Sequence, residues 1–128
     1  MKLSELAVNA EANAFAKLLD AGSVEFYTGA PPADTDQAAT GTLLAIHQLP
    51  TPAFSAAAGG QAAMNQALVH AITAAGQAGW ARLKTRFGLT VQDVTVGTSA
   101  ADLIVNNDSF AVGKNILIYS YTYTRPRG

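Results

Sequence analysis

The sequence contains no cysteine at any of its 128 positions. Disulfide bonds, thiolate nucleophiles and cysteine-ligated metal centres are therefore excluded. Charged residues are also scarce, at 13% of the chain. An average soluble domain carries about a quarter. We therefore expect a surface covered by small polar side chains and alanine, or by partner proteins.

Long apolar runs are missing as well. No stretch reaches the roughly 18 apolar residues in a row that a membrane-spanning helix needs, so we expect no membrane contact. The first residues include Lys2 but also Glu5 and Glu11, a pattern that does not fit a secretory signal. We therefore expect the chain to fold in a cytoplasm.

The length fits a single domain over residues 1–128. Residues 3–20 place leucine and alanine at steps of three and four, which predicts an amphipathic helix. Ser4 is the expected N-cap, and Gly22 is the expected glycine just beyond the C-terminal end. The side chains expected to pack against the sheet or a neighbouring subunit are Leu6, Phe15, Leu18 and Leu19.

Residues 23–124 consist of short alternating segments separated by turn residues, which predicts a mainly β fold. About seven or eight strands at this spacing are typical of a β-sandwich, with immunoglobulin-like and jelly-roll orders both open. The segment 63–73 fits a helix by alanine content and a strand by alternation, and its β-like neighbours favour the strand.

The segment “GWARLKTRFG”, residues 79–88, gives the clearest alternation in the chain. It places one aromatic and three basic side chains on one face, a pattern that fits a solvated strand, a subunit contact or a nucleic-acid backbone. The residues of this face are Trp80, Arg82, Lys84 and Arg86. The charge distribution argues against nucleic acid, because the net charge is −1 and the basic excess in residues 82–128 is only +3. Residues 1–81 carry −4, and this asymmetry also suits a head-to-tail contact between copies.

The C-terminal segment “NILIYSYTYTRPRG” places tyrosine at every second position. In a regular strand these rings share one face, and tyrosine is common at protein interfaces. We therefore predict an intersubunit contact, with packing in the chain's own core as the alternative, chiefly for Tyr119. The predicted contact residues are Tyr119, Tyr121 and Tyr123, followed by Arg125 and Arg127 in a tail over residues 125–128.

No set of residues in the sequence indicates catalysis or cofactor binding. His47 and His70 lack a spaced acidic or metal-ligating partner, so structural packing is the favoured role. Asp34 and Asp36 are weak support for a calcium site and fit a solvated loop better. We therefore predict no enzymatic activity, no cofactor and no metal.

The order of segments resembles that of small virion structural proteins of tailed bacteriophages. The motifs that carry the resemblance are “YTG” with a following proline, “ATGTLLA”, “AGW”, and the late turn “NDSFAVG”, at residues 27–31, 39–45, 78–80 and 107–113. The resemblance covers most of the chain, and residues 56–75 fit it poorly.

This resemblance implies a β-sandwich that sits in a virion as a capsid decoration or cement protein, or in the neck or tail. The implied partners are other copies of the chain and other virion proteins. The alternative is a binding module for host-surface glycan, with Trp80 and the tyrosines as stacking surfaces, or for nucleic acid.

Overall fold

The computed structural model describes residues 3–124. Within this range the chain forms one helix followed by nine strands. The elements are α1 (Glu5–Leu18), β1 (Ser23–Thr28), β2 (Leu43–Gln48), β3 (Gln61–Ala63), β4 (Ala67–Val69), β5 (Gly76–Lys84), β6 (Thr90–Gly97), β7 (Leu103–Val105), β8 (Ser109–Phe110) and β9 (Ile116–Thr124). The predicted mainly β fold with one N-terminal helix is confirmed.

The strands form a curled mixed sheet with the order β2-β1-β5-β6-β7-β9-β3. Strand β4 pairs with β9, and β8 pairs with β5. Every strand pair is antiparallel except β6 and β7, which run parallel. Two parallel neighbours must be joined by a connection that brings the chain back to the start of the next strand. Between β6 and β7 this connection is short and consists of residues 98–102.

The sheet curls far enough to bring β2 next to the segment that follows β4. Ala45 of β2 forms an isolated antiparallel bridge with Ile72. The Thr73 N–H also donates to the Leu44 carbonyl oxygen over 2.8 Å. Because β4 belongs to the β9 side of the sheet, these bonds join its two ends and enclose one hydrophobic core. The largest fully buried core side chains include Phe26, Phe110, Leu44, Leu83, Leu103 and Ile118.

Helix α1 begins as the sequence predicts and ends differently. The Ser4 hydroxyl oxygen accepts a hydrogen bond from the Ala7 N–H over 3.2 Å, which confirms the N-cap. The left-handed residue after the helix is Ala21, at φ 57°, so the predicted role of Gly22 is wrong. Gly22 instead allows close approach of two chain segments. A β-carbon at Gly22 would lie 2.1 Å from the Lys84 carbonyl oxygen.

The buried face of α1 differs from the predicted one. Val8, Ala12, Ala16 and Leu19 are the buried side chains. Leu6 and Leu18 are 82% and 53% exposed, so their predicted packing against the sheet is wrong. Positions two apart on an α-helix lie about 200° apart around its axis, which turns both leucines away from the buried row.

The segment 63–73 forms neither a helix nor one continuous strand. Strands β3 and β4 pair with different parts of β9, and Met64 between them donates its N–H to the Tyr121 carbonyl oxygen over 2.8 Å. A single alternating strand would place Leu68 on the same face as Met64 and Ile72, but both of these are buried while Leu68 is 41% exposed and Val69 is buried instead.

Candidate interaction surfaces

The predicted cationic face of β5 lies mostly inside the protein. Trp80 is fully buried and Arg82 is 5% exposed, so the expectation that this face is open to a partner is wrong for both. The Trp80 ring stacks on Tyr27, with 4.7 Å between ring centroids and 16° between planes. On the same ring the Arg82 guanidinium carbon lies 5.5 Å from the centroid. Strand β5 is therefore covered on both faces.

Two of the three cations predicted on this face, Arg82 and Lys84, pair with carboxylates on neighbouring strands. Arg82 Nε lies 2.8 Å from Asp93 Oδ1, and Arg82 Nη2 lies 3.1 Å from Asp93 Oδ2. The hydrogen bond with Asp93 raises the pKa of the Arg82 guanidinium. Lys84 Nζ lies 3.2 Å from Glu25 Oε1. Arg82 lies directly opposite Asp93 in the sheet, whereas Lys84 lies opposite Ser23 and reaches Glu25 diagonally.

Tyr27 completes this polar cluster on β1. Its hydroxyl donates to Glu25 Oε1 over 2.9 Å. Burial and the hydrogen bond to Glu25 raise the pKa of Tyr27 to about 12. The Tyr27 phenol therefore stays protonated and holds the carboxylate that also pairs with Lys84. The charged groups of this cluster satisfy one another, and the cluster presents no row of free cations to a nucleic-acid backbone.

A β-bulge breaks the predicted tyrosine ladder on β9. Ile104 lies opposite Ser120 and Val105 lies opposite Ile118, so Tyr119 has no partner on β7. An extra residue of this kind reverses the alternation of the side chains that follow it. Ile118 before the bulge and Tyr121 after it are therefore both buried, while Tyr119 is 48% exposed.

Tyr121 and Tyr123 pack within this chain. The Tyr121 hydroxyl donates to Gln92 Oε1, and its ring meets Phe54 edge to face with 6.0 Å between centroids. Burial raises the pKa of the Tyr121 phenol. The half-buried Tyr123 ring stacks on Phe15 of α1 at 3.8 Å. Arg125 and Arg127, the other predicted contact residues at this end, lie outside the described residues.

Tyr119 therefore belongs to a different surface from the other two tyrosines. Leu68 of β4 lies opposite Leu117 of β9, and Tyr119 follows two residues along the strand. Leu68 is 41% exposed, Tyr119 is 48% exposed and Leu117 is partly buried. We name these three residues the β9 patch. Gln66 Nε2 donates to the Tyr119 carbonyl oxygen over 3.3 Å and borders this apolar area.

A second apolar surface lies where α1 ends beside the β5–β6 turn. A cleft of about 390 Å³ is lined there by Lys17, Leu18, Asp20, Thr51, Thr85, Arg86 and Phe87. We name it the helix-end groove. Leu18 and Phe87 are 53% and 76% exposed, and Leu89 on the same turn is 66% exposed.

The β5–β6 turn has a fixed geometry that keeps Phe87 outside. Thr85 Oγ1 accepts hydrogen bonds from the Phe87 and Leu89 N–H groups, each over 3.2 Å. Gly88 supplies a positive φ of 81°. The sequence predicted a strand through residue 88, which is wrong, because β5 ends at Lys84. Arg86 is exposed in this turn, with its guanidinium carbon 4.8 Å from the Phe87 ring centroid.

The two histidines meet at a separate pocket of about 220 Å³ beside β2. His47 Nε2 is buried and has no hydrogen-bond partner within residues 3–124. Burial lowers the pKa of His47, and the nearby His70 lowers it further. Throughout the described part of the chain, no three His, Asp or Glu side chains are grouped to hold a metal ion. In the exposed loop after β1, Asp34 Oδ1 accepts the Asp36 N–H over 2.9 Å.

Comparison with known proteins gives no match, whether to a family model, to a curated protein or to a solved structure. The helix found within residues 3–124 is too short and too polar to cross a membrane.

Proposed function

We propose that this protein is a non-enzymatic structural subunit of a tailed-phage virion, where it contacts other virion proteins and other copies of itself. The observation that carries the proposal is the grouping of exposed apolar side chains into the β9 patch and the helix-end groove. Grouped apolar exposure marks protein-contact surfaces, whereas single exposed apolar residues are ordinary.

The low charge of the chain supports the same function. Only 13% of residues are charged, and two of the cations, Arg82 and Lys84, are paired within the sheet. Charged side chains are depleted at the centre of protein interfaces. A surface of small, weakly charged residues therefore suits burial in an assembly.

The fold proposal is that the curled sheet works as a β-sandwich. In this proposed sandwich β2, β1, β5 and β6 would form one layer, and β7, β9, β4 and β3 the other; the strand order and the single core cluster support the proposal. This is the architecture that the resemblance to small virion proteins implies. Capsid decoration, the neck and the tail all remain within the proposal.

A second candidate function is binding to a host-surface glycan. The observation in its favour is the exposed Tyr119 ring, because sugar rings stack on aromatic faces. Trp80 no longer supports this function, since it is fully buried. Nucleic-acid binding loses its main support for the same reason, together with the pairing of Arg82 and Lys84.

The test is incorporation into particles. The tagged chain is supplied during growth of a phage whose genome encodes it, and purified particles are assayed for the chain by quantitative mass spectrometry. We expect stoichiometric incorporation that falls in the Tyr119→Ser/Leu68→Ser variant. Val112→Ser, which alters an exposed apolar residue in another loop, is the matched control.

Particles that lack the wild-type chain would contradict the virion function. A glycan array probed with the purified chain then distinguishes the second candidate. Glycan binding lost in Tyr119→Ser and kept in Val112→Ser would support it.

A further inference from the structure

The helix-end groove combines an apolar floor with positive charge. Leu18 and Phe87 supply exposed apolar surface, and Lys17 and Arg86 are both exposed beside them. Among residues 3–124, neither cation forms an ion pair. The one acid in the groove, Asp20, is engaged, because its Oδ1 accepts the Ala53 N–H over 2.9 Å. The groove therefore suits an occupant with an apolar side chain next to a carboxylate.

The first turn of α1 has this chemistry. Leu6 is 82% exposed, the largest exposed fraction among the large hydrophobic side chains of the described chain. Glu5 precedes it and is also exposed. The two residues place an apolar side chain beside a negative charge in the first turn of the helix. Both features complement the groove.

The helix start cannot reach the groove of its own chain. Leu6 and Leu18 are twelve residues apart on one α-helix, which separates them by about 18 Å along its axis. The matching donor must therefore come from another molecule.

We propose that the helix-end groove binds the Glu5–Leu6 helix start of a second copy of this chain. Leu6 packs on Leu18 and Phe87, and Glu5 faces Lys17 and Arg86. The contact is heterologous, since each copy uses one surface as donor and a different one as acceptor. Such a contact repeats from copy to copy and builds a ring or an open chain. The inference rests on the proposed function and specifies how copies meet within the assembly.

The experiment is a charge exchange read by analytical ultracentrifugation of the purified chain. The wild type is expected to associate as its concentration rises to about 1 mM, the upper range for a weak contact. The groove variant Lys17→Glu/Arg86→Glu and the start variant Glu5→Lys are each expected to weaken association by about 10- to 100-fold, because like charges then face each other.

Recovery of association after charges are reversed on both sides distinguishes this contact from any other. The combined variant Glu5→Lys/Lys17→Glu/Arg86→Glu is expected to recover association to within about threefold of the wild type, since both charges of each pair are reversed. An equimolar mixture of the groove and start variants should recover it too. Lys114→Glu, at an exposed position in another loop, is the control for net charge. Circular dichroism and melting temperature check the folding of every variant.

The apolar part of the contact is tested by a second variant with its own matched control. Leu6→Ser is expected to weaken association about tenfold, and Val112→Ser is expected to leave it unchanged. A wild type that stays monomeric over the whole range would overturn the inference, as would a combined variant that stays as weak as its parents. Incorporation into particles by a chain that stays monomeric when purified would leave the virion function in place and remove this contact.

Discussion

Arg82 has little solvent exposure, and its guanidinium forms two hydrogen bonds with Asp93. Both side chains are 6% exposed, so removing one partner leaves a nearly buried charge alone. We expect Arg82→Met to lower the free energy of unfolding by about 3 kcal/mol, measured by urea denaturation.

The double variant Arg82→Met/Asp93→Leu removes both charges and is expected to return within about 1 kcal/mol of the wild type. Lys84→Met is the control at the more exposed pair with Glu25, where the expected loss is below about 1 kcal/mol. If the double variant stays as unstable as Arg82→Met, Arg82 acts through packing on Trp80 and not through its charge.

We expect His47 to make stability depend on pH. Its buried Nε2 has no partner in the described chain, and burial together with His70 lowers its pKa in the folded state. In the unfolded chain a histidine titrates near 6.5, so below about pH 6.5 the unfolded state binds a proton that the folded state resists. The free energy of unfolding therefore falls as pH drops from about 6.5 to the folded pKa.

We expect His47→Gln to remove this loss when urea unfolding is compared at about pH 7.5 and about pH 5.5, on either side of the reference pKa. His70→Gln is expected to reduce the loss without removing it, because burial is the larger cause of the shift at His47. An unchanged pH dependence in His47→Gln would assign the effect to other groups.

In strand β9 one extra residue changes which tyrosine side chains are buried and which are exposed. The bulge at Tyr119 leaves that ring outside and turns Tyr121 into the core. We expect Tyr121→Ser to lower the free energy of unfolding by about 3 kcal/mol, because it removes a buried ring and leaves Gln92 without its partner. Tyr119→Ser is expected to change it by less than about 0.5 kcal/mol.

Equal losses in urea denaturation for these two variants would contradict the placement of the bulge. Comparing the Tyr121→Ser and Tyr119→Ser variants also shows which tyrosine is suitable for testing an interface. A substitution at Tyr121 is expected to destabilise the core, so loss of assembly in that variant would say nothing about a contact surface. Tyr119 is the tyrosine at which assembly and stability are separable.

Local signals in the sequence predicted the elements that depend on local structure. Ser4 caps α1 by accepting a hydrogen bond from the N–H of the residue three positions later. In β1, Val24 and Phe26 alternate with more exposed neighbours. Such features follow from capping and from the two-residue period of a strand. The turn at residues 107–109 is of the same kind, with Asn107 Oδ1 accepting the Ser109 N–H over 2.9 Å.

Features that depend on strand pairing could not be predicted from the sequence. Arg82 resembled an exposed cation because its partner Asp93 becomes a neighbour only when β5 pairs with β6. The Tyr119 bulge is visible only in the register between β7 and β9. The helix-end groove was missed because residues 85–88 alternate like a strand, whereas Thr85 and Gly88 form a turn.

At the scale of the whole molecule, the bonds from Leu44 and Ala45 to residues 72 and 73 close the curled sheet. They connect the β2 side with the β9 side around one continuous core, so we expect neither side to keep its core when the other opens. Trp80, the single tryptophan, lies on β5, so its fluorescence reports on the β2 side of the sheet. Far-ultraviolet circular dichroism reports on all strands.

We therefore expect tryptophan fluorescence and circular dichroism to change at the same urea concentration, which is the signature of one cooperative unit. Ile72→Ala empties a buried position at the closure and is expected to lower both midpoints together, by about 2–4 kcal/mol in free energy. Leu68→Ala, at a 41% exposed site on the neighbouring strand, is the control and should move neither. If Ile72→Ala shifts the circular dichroism midpoint while Trp80 fluorescence keeps its own, the two sides unfold separately. The closure would then hold together two independently stable layers.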